Sequence, residues 1–418
     1  MDERLPNVSI FLLVLVGSLQ FCETFPNALS GSVMPLTISR FTASAKLITI
    51  MLATNAWFGF LVAPYVAWKS DRIWTRFGRR RPFMVGGLVP LMLSMVLIPF
   101  APSIALLFVL VVVYQFCQDF WASGPYQPLC ADLIPVQQRG LLGGLQVLLG
   151  SCAAYSLNQW GVPLIRDDSH PHPDLIPYLM GAAVMCVALL VILFLIREPY
   201  RPPKTTGRFT PFRYVRDIFE NRRYGKLYLV QFSQSTMFAS FDTLIALYAH
   251  HNLGLKPSVF GPILALTNLI MIVGALPLGW LSDYISKRYT CALGFLLVAV
   301  PCGIAMFGSG EPKPLFTAMC VIYGVACLLI RVTNFPLMTE YIPRDSYGTI
   351  IGAFWFTRAG IRVLVIPLLG VFIDMFDKDY RVPYVVAFVF SLLACLATVW
   401  LGEGPYSKKA LARQSAQV

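Results

Sequence analysis

Charge is what this sequence has least of. Only 13% of its 418 residues are Asp, Glu, Lys or Arg, about half the ~25% usual for a soluble domain, which argues against a water-soluble globule with a charged shell. Histidine is nearly missing: His170, His172, His250 and His251 are the whole complement, all near loops expected to be external. His170 and His172 read as a solvated loop. No His or Cys grouping has metal-ligand spacing, and the 10 cysteines are scattered, mostly singly, in apolar stretches (Cys186, Cys302, Cys395), where they serve as small packing residues. A membrane-embedded enzyme would need a metal cluster or a nucleophile–base pair near an interface, and neither is visible. Large external domains are absent too, as are Asn-x-Ser/Thr sites in the external loops.

What is present is apolar length. Hydrophobic residues make up 57% of the chain, gathered into runs such as Phe83–Ala101, Tyr178–Ile196, Tyr289–Gly308 and Tyr384–Leu401. These approach the ~20 residues that cross a hydrocarbon core. About twelve such segments follow one another, near 8–36, 44–67, 83–101, 104–132, 140–165, 176–196, 226–250, 257–281, 289–308, 314–341, 348–374 and 382–402. No cleavable leader is expected, since the first run lacks a small-residue cleavage site and continues into further spans. The expected fold is therefore an all-α membrane protein.

The net charge of +12 is concentrated on one side. Lys69, Arg72, Arg76, Arg79, Arg80 and Arg81 fill the second connection, Arg197 to Lys226 form a long basic one, and Lys408, Lys409 and Arg413 lie in the tail. The opposite loops are sparse or mixed (Arg166-Asp167-Asp168, Asp377-Lys378-Asp379). The positive-inside rule then puts both termini in the cytoplasm. Basic stretches that flank spans point to lipid, not nucleic acid.

The chain repeats itself. Pro128-Leu129-Cys130-Ala131-Asp132-Leu133-Ile134-Pro135 with Gly140 is echoed by Pro336-Leu337-Met338-Thr339-Glu340-Tyr341-Ile342-Pro343 with Gly348. Trp68-Lys69-Ser70-Asp71 is echoed by Trp280-Leu281-Ser282-Asp283. Both echoes fall at equivalent helix ends, as when two six-helix bundles rock about a central site. The expected division is 1–196 and 226–402 for two pseudo-symmetric bundles, 197–225 for a linker and 403–418 for a tail. In the linker, Thr210 and Pro211 could open a short amphipathic helix on the inner leaflet, with a plain tether as the alternative.

A charge at the bilayer centre costs at least ~2.5 kcal/mol, so each one needs a reason. The third, sixth, ninth and twelfth spans carry none and should face lipid. Glu23, Asp119, Asp242, Arg331, Arg358 and Arg362 interrupt the others. At ~1.5 Å per residue Glu23 and Asp119 lie near the midplane, as do Arg331 and Arg358. Gln20, Glu23, Thr24 and Asn27 share one face of the first span, Gln115, Gln118, Asp119 and Tyr126 one face of the fourth. Gln231, Gln234, Ser235 and Asp242 form a stripe on the seventh, beside Phe238 and Phe241. Carboxylates, amides and aromatics suit a hydroxyl-rich ligand; bonding helix to helix is the plainer alternative. The arginines could touch ligand or balance Glu23 and Asp119. A carboxylate held out of water binds a proton more readily, so Glu23 and Asp119 are the candidates for proton or cation coupling.

Ser70-Asp71-Arg72-Ile73-Trp74-Thr75-Arg76-Phe77-Gly78-Arg79-Arg80-Arg81-Pro82-Phe83 resembles the loop between helices two and three of major facilitator proteins. In form it is similar to the sucrose-transporter branch of the glycoside–pentoside–hexuronide:cation symporters. Gly124-Pro125-Tyr126 before Ala131-Asp132-Leu133 looks like that branch's fourth-helix motif. The resemblance implies a cytoplasmic latch of Asp71, Arg72, Gly78 and Arg79 with Asp132 nearby; Asp283 and Glu340 are their repeat counterparts. It also implies alternating access, a sugar or glycoside as substrate, a coupling cation (a proton before sodium), a lipid bilayer as surroundings, no cofactor and a monomer. The sequence departs from the branch at Phe116, where its coupling aspartate would stand, and in lacking an arginine within Leu141–Ile165. The acids that the melibiose-permease type carries in helix two are replaced here by Asn55 alone. Acids on helices one and four also resemble the constellation of fucose–proton symporters. A facilitator or exporter of another metabolite, and a non-transporting sensor, are the competing readings. A bacterial cytoplasmic membrane is the expected location.

Overall fold

The structure is a computed structural model that describes residues 8–135, 138–166, 170–198, 224–281, 285–342, 347–402 and 404. The helix expected at Thr210, the tail and Asp283 lie outside the described residues.

Among the described residues the long elements are all helices: α1 (Ile10–Ser32), α2 (Ala45–Ser70), α3 (Arg81–Leu97), α4 (Ile104–Gln118), α5 (Arg139–Ser156), α6 (Leu175–Leu190), α7 (Gly225–Asp242), α8 (Pro257–Leu281), α9 (Lys287–Phe307), α10 (Pro312–Thr339), α11 (Tyr347–Met375) and α12 (Val382–Trp400). Their starts follow local chemistry. The Ser9 and Ser103 hydroxyls accept from the amides of Leu12 and Leu106 at 3.3 and 3.4 Å, capping α1 and α4. α3, α10 and α12 place proline in their first two positions, where no N–H is missed.

Among the described residues, eleven helical stretches are long and apolar enough to cross a membrane. α7 is the exception to the expected twelve. Gln231, Ser233, Gln234, Ser235, Thr236 and Ser240 lower its apolarity, and all six are buried. Protein rather than lipid covers them, so the helix can afford them.

α4 does not stop at Gln118. It widens into a π-helical stretch, Asp119–Tyr126, then resumes as Gln127–Leu133. Pro125 lies inside this stretch and supplies no N–H to the ladder, whose bonds here widen to the π-helical i→i+5 spacing. The widening begins at Asp119.

The chain divides into two compact units, Met1–Phe209 with Lys256–Ala265 and Thr210–Leu255 with Leu266–Val418. In the first, α1 packs on α5, and α3 on both α4 and α6. In the second, α9 packs on α10 and α12, and α7 on α11 and α12. Small residues allow the closest approaches. A Cβ at Gly87 would stand 2.8 Å from the Trp121 Cβ and 3.0 Å from the Cys117 carbonyl; one at Gly294 would stand 2.8 Å from Ile330.

The four helices whose apolar stretch carries no charge each show an exposed apolar stripe: Val89, Leu93 and Leu97 on α3, Val187 and Leu190 on α6, Leu293, Leu296 and Val300 on α9, and Val385, Val389 and Leu396 on α12. The spacing of three, four or seven residues is that of one helical face. Such stripes are suited to acyl chains.

Candidate functional site

Four polar clusters stand out, two inside the spans of the separate units and two near helix ends. The first surrounds Glu23. Its carboxylate accepts from Gln20 Nε2 at 2.5 Å, Asn27 Nδ2 at 2.7 Å and Thr24 Oγ1 at 3.3 Å, all one turn or less away on α1. The helical spacing of these residues produces the cluster directly. Gln118 of α4 donates to the Glu23 carbonyl at 3.1 Å and is itself held by the Trp121 indole at 3.1 Å. Glu23 remains partly exposed.

Asp119 is buried and points elsewhere. It lies against α2, where a Cβ on Gly59 would come 3.5 Å from its Oδ1. Gln115 and Tyr126 are engaged between helices. Gln115 donates to Ser30 at 2.7 Å and accepts from Asn55 at 3.0 Å. The Tyr126 hydroxyl donates to the Val16 carbonyl at 3.3 Å and accepts from Gln146 at 2.9 Å. Helix bonding, the plainer alternative for the amides, describes Gln115.

In the second unit α7 and α10 run antiparallel and face each other along a ladder of contacts. At one end the Tyr323 hydroxyl donates to Asp242 at 2.5 Å, its ring stacked on Phe241 at 3.7 Å between centroids. At the other end Asn334 joins both glutamines, donating to Gln234 at 2.9 Å and accepting from Gln231 at 3.1 Å. Arg331 comes between, its guanidinium 5.9 Å from the Phe238 ring centre. α11 adds Arg358, whose carbonyl accepts from Ser235 at 3.0 Å, and Arg362 one turn on. Asn334 escapes a sequence reading because a lone amide in an apolar run carries no periodicity. Its two long-range bonds appear only once the helices are packed.

The third cluster lies where α2 ends and α3 begins. Gly78 has φ +105°, closing a tight turn in which it and Thr75 exchange backbone bonds at 3.0 and 3.1 Å. Arg79 then meets Asp132 at 2.5 Å and Asp71 at 3.5 Å, while Arg80 meets Asp132 at 2.8 Å and Asp71 at 2.9 Å. Burial pushes the Asp132 carboxyl up, but hydrogen bonds and charge from Arg79 and Arg80 outweigh it and hold the group below the ordinary carboxylate range. Arg80 joins the residues expected at this latch. Arg72 lies over the Trp68 ring at 4.2 Å and bonds the Trp68 carbonyl at 3.1 Å; Arg80 holds the place between Asp71 and Asp132. Arg72 sits two residues past α2, where its reach is back along that helix.

Glu198 was not legible either. Its carboxylate accepts from the backbone amides of Arg79, Arg80 and Arg81 at 2.9, 3.1 and 2.8 Å, filling the N-terminus of α3. The same anatomy recurs in the second unit, where Glu340 pairs with Lys287 at 3.2 Å. There the acid ends α10 and the cation opens α9, as Asp132 ends the α4 extension and Arg79 and Arg80 precede α3. The sequence echo is therefore an echo of contacts.

The fourth cluster was also missed. Asp174, nearly fully buried, takes a hydrogen bond from Thr37, lies 3.3 Å from the Arg40 guanidinium, and shares Thr37 with Tyr178. It ties the short helix Met34–Ser39 to the start of α6. Of the histidines, His172 bonds the Pro99 carbonyl at 2.9 Å and packs on Phe100. Among the described residues no group of His, Cys, Asp or Glu could hold a metal ion.

The family model of the Major Facilitator Superfamily matches residues 16–365. Several solved structures share the architecture. A nucleoside transporter, NupG, aligns with a TM-score of 0.72 at 11% identity, covering 94% of this chain and 99% of its own. A peptide transporter in complex with sulfate aligns at 0.74 and 14% identity, covering 96% and 97%. A peptide-transporter-family protein in complex with 5-aminolevulinic acid aligns at 0.74 and 11% identity, covering 96% and 99%. No curated protein sequence matches the chain. With the family match running over most of its length, the chain belongs to the Major Facilitator Superfamily and is a multi-pass membrane transporter, not an enzyme.

Proposed function

We propose that the protein is a proton-coupled symporter of a sugar or glycoside, working by alternating access and related to the sucrose-type glycoside–pentoside–hexuronide:cation symporters. The observation that carries the reading is Glu23. It is a carboxylate within an apolar span, partly exposed, with three side-chain donors close around it. Charge at that depth opposes any movement that takes it out of water, and taking up a proton removes the charge. A donor-rich rim of amide and hydroxyl groups is also what sugar hydroxyls require, since each buried OH needs a partner. Asp119, against Gly59 on α2, is the second coupling candidate. Asp71, Arg79, Arg80 and Asp132 in one unit, with Glu340 and Lys287 in the other, form the proposed gating ends. Asp283 is proposed with them on the sequence echo alone. The location proposed is a bacterial cytoplasmic membrane, and the acting form a monomer.

The test is uptake into proteoliposomes of labelled sucrose, maltose, melibiose and hexoses under an inward proton gradient. Each is repeated with uncoupler, with sodium, and with Glu23→Gln or Asp119→Asn. Coupling at Glu23 requires that the Gln variant lose uphill accumulation yet keep sugar exchange at equal concentrations. Unchanged accumulation in both variants would end the proton reading; no uptake of any sugar by folded protein would end the sugar reading.

A further inference from the structure

We infer that the corner of the second unit where α9 begins and α12 ends is a binding site for an anionic phospholipid. Lys226 and Arg288 hold the headgroup, and the acyl chains lie along α9 and α12. Such a lipid would bind whatever the protein transports. Two cation–aromatic pairs mark the corner. Lys226, exposed at the start of α7, stands over the Trp400 ring at 4.2 Å and donates to the Trp400 carbonyl at 3.4 Å. Arg288, in the first turn of α9, lies 4.6 Å from the centre of the Tyr289 ring and donates to the Tyr289 hydroxyl at 2.7 Å. Both aromatic rings belong to exposed residues.

One run of contacts joins the two pairs. Lys287, beside Arg288, meets Glu340 at 3.2 Å. Tyr341, beside Glu340, donates to the Gly402 carbonyl at 2.5 Å, and Gly402 follows Trp400 by two residues. α12 packs on both α9 and α7, so the pairs share one end of the unit. From each pair an exposed apolar face runs away along its helix. Tyr289 opens the α9 stripe of Leu293, Leu296 and Val300, and Trp400 closes the α12 stripe of Val389 and Leu396. Tyr and Trp rings settle at the level of the headgroups, and long basic side chains reach the same level while their stems stay on apolar surface. The corner therefore offers cations to phosphate oxygens and, directly below them, apolar surface to acyl chains.

Charge selects the kind of lipid. Glu340 offsets Lys287, but among the described residues neither Lys226 nor Arg288 meets an acid. A zwitterionic headgroup brings its own cation to the phosphate, whereas an anionic headgroup leaves the phosphate charge for the protein to balance.

The test is photocross-linking of the full-length protein in phosphatidylcholine vesicles. These carry a trace of phosphatidylglycerol or of phosphatidylcholine with a photoreactive acyl chain, and the products are resolved by peptide mass. Peptides spanning 287–300 and 385–400 should take the phosphatidylglycerol probe over the phosphatidylcholine probe by about fivefold or more, the preference that one cation near the surface gives. Lys226→Gln and Arg288→Gln should each lower that ratio several-fold, and the double variant should bring it close to one. Lys313→Gln removes an exposed cation at the start of α10, the opposite end of this unit, and should leave the ratio unchanged. Labelling of the α3 stripe by the phosphatidylcholine probe should be the same in every variant, which guards against misfolding. Equal labelling by the two probes in the wild type would overturn the site. So would a preference that survives the double variant, or one that falls as much in Lys313→Gln, since the attraction would then be diffuse.

Discussion

Glu198→Gln isolates one carboxylate whose work is visible in three distances. Its oxygens take the amides of Arg79, Arg80 and Arg81 at 2.9, 3.1 and 2.8 Å. The amide keeps the shape and one acceptor but loses the charge and the second acceptor. An anion at a helix N-terminus contributes ~0.3–1 kcal/mol when exposed and up to ~2 when partly buried. Glu198 is partly exposed, so with the weakened hydrogen bonds the loss should be ~1–2 kcal/mol. The chain carries its own reporters. Cys117 and Cys130 are buried in the first unit; Cys291, Cys302, Cys320 and Cys327 are buried in the second. Labelling with a thiol reagent, resolved by peptide mass, should speed up at Cys117 and Cys130 by ~5–30-fold. The second-unit cysteines should label at the wild-type rate. Gly78→Ala should do at least as much, because its Cβ would meet the Glu198 carboxyl carbon at 2.8 Å and φ is +105°. The double variant should then fall short of the sum. Unchanged labelling at Cys117 and Cys130, or an equal rise in both units, would refute the reasoning.

Gly87→Ala should destabilise the α3–α4 contact by ~1–3 kcal/mol, since its Cβ would press on the Cys117 carbonyl and Trp121 backbone, whereas Gly86→Ala, with only Phe120 at 3.9 Å, should barely move the unfolding temperature. Asp132 has a lowered pKa in the folded protein, so it contributes stability above its ordinary value of 3.8 that disappears as pH falls from there through the lowered value. Acid unfolding followed across that window should lose this slope in Asp132→Asn. Asp174→Asn should cost ~1–3 kcal/mol through the Thr37 and Arg40 contacts, and combining it with Arg40→Gln should cost less than the two losses added, read from unfolding midpoints.

The sequence by itself determined what depends on neighbours along the chain. Apolar length specified the spans, because a backbone in lipid must satisfy its own hydrogen bonds and a helix does so locally. The Gln20–Glu23–Thr24–Asn27 cluster was legible for the same reason: residues three and four apart meet on any helix. The matching of Asp132 with Glu340 was legible as a repeat, and the contacts with Arg79, Arg80 and Lys287 follow it. Tertiary structure decided the rest. α7 passes as a span only because protein covers its polar residues. Arg80 bridges Asp71 and Asp132 after the turn at Gly78 reverses the chain, and Arg72 lies over Trp68. Glu198 reaches the α3 amides across more than a hundred residues, Asn334 reaches Gln231 and Gln234 across a hundred or more, and Asp119 turns to Gly59. No local pattern encodes such partners, because they are chosen by which helices pack together and at what register, and that is settled only when the whole bundle closes.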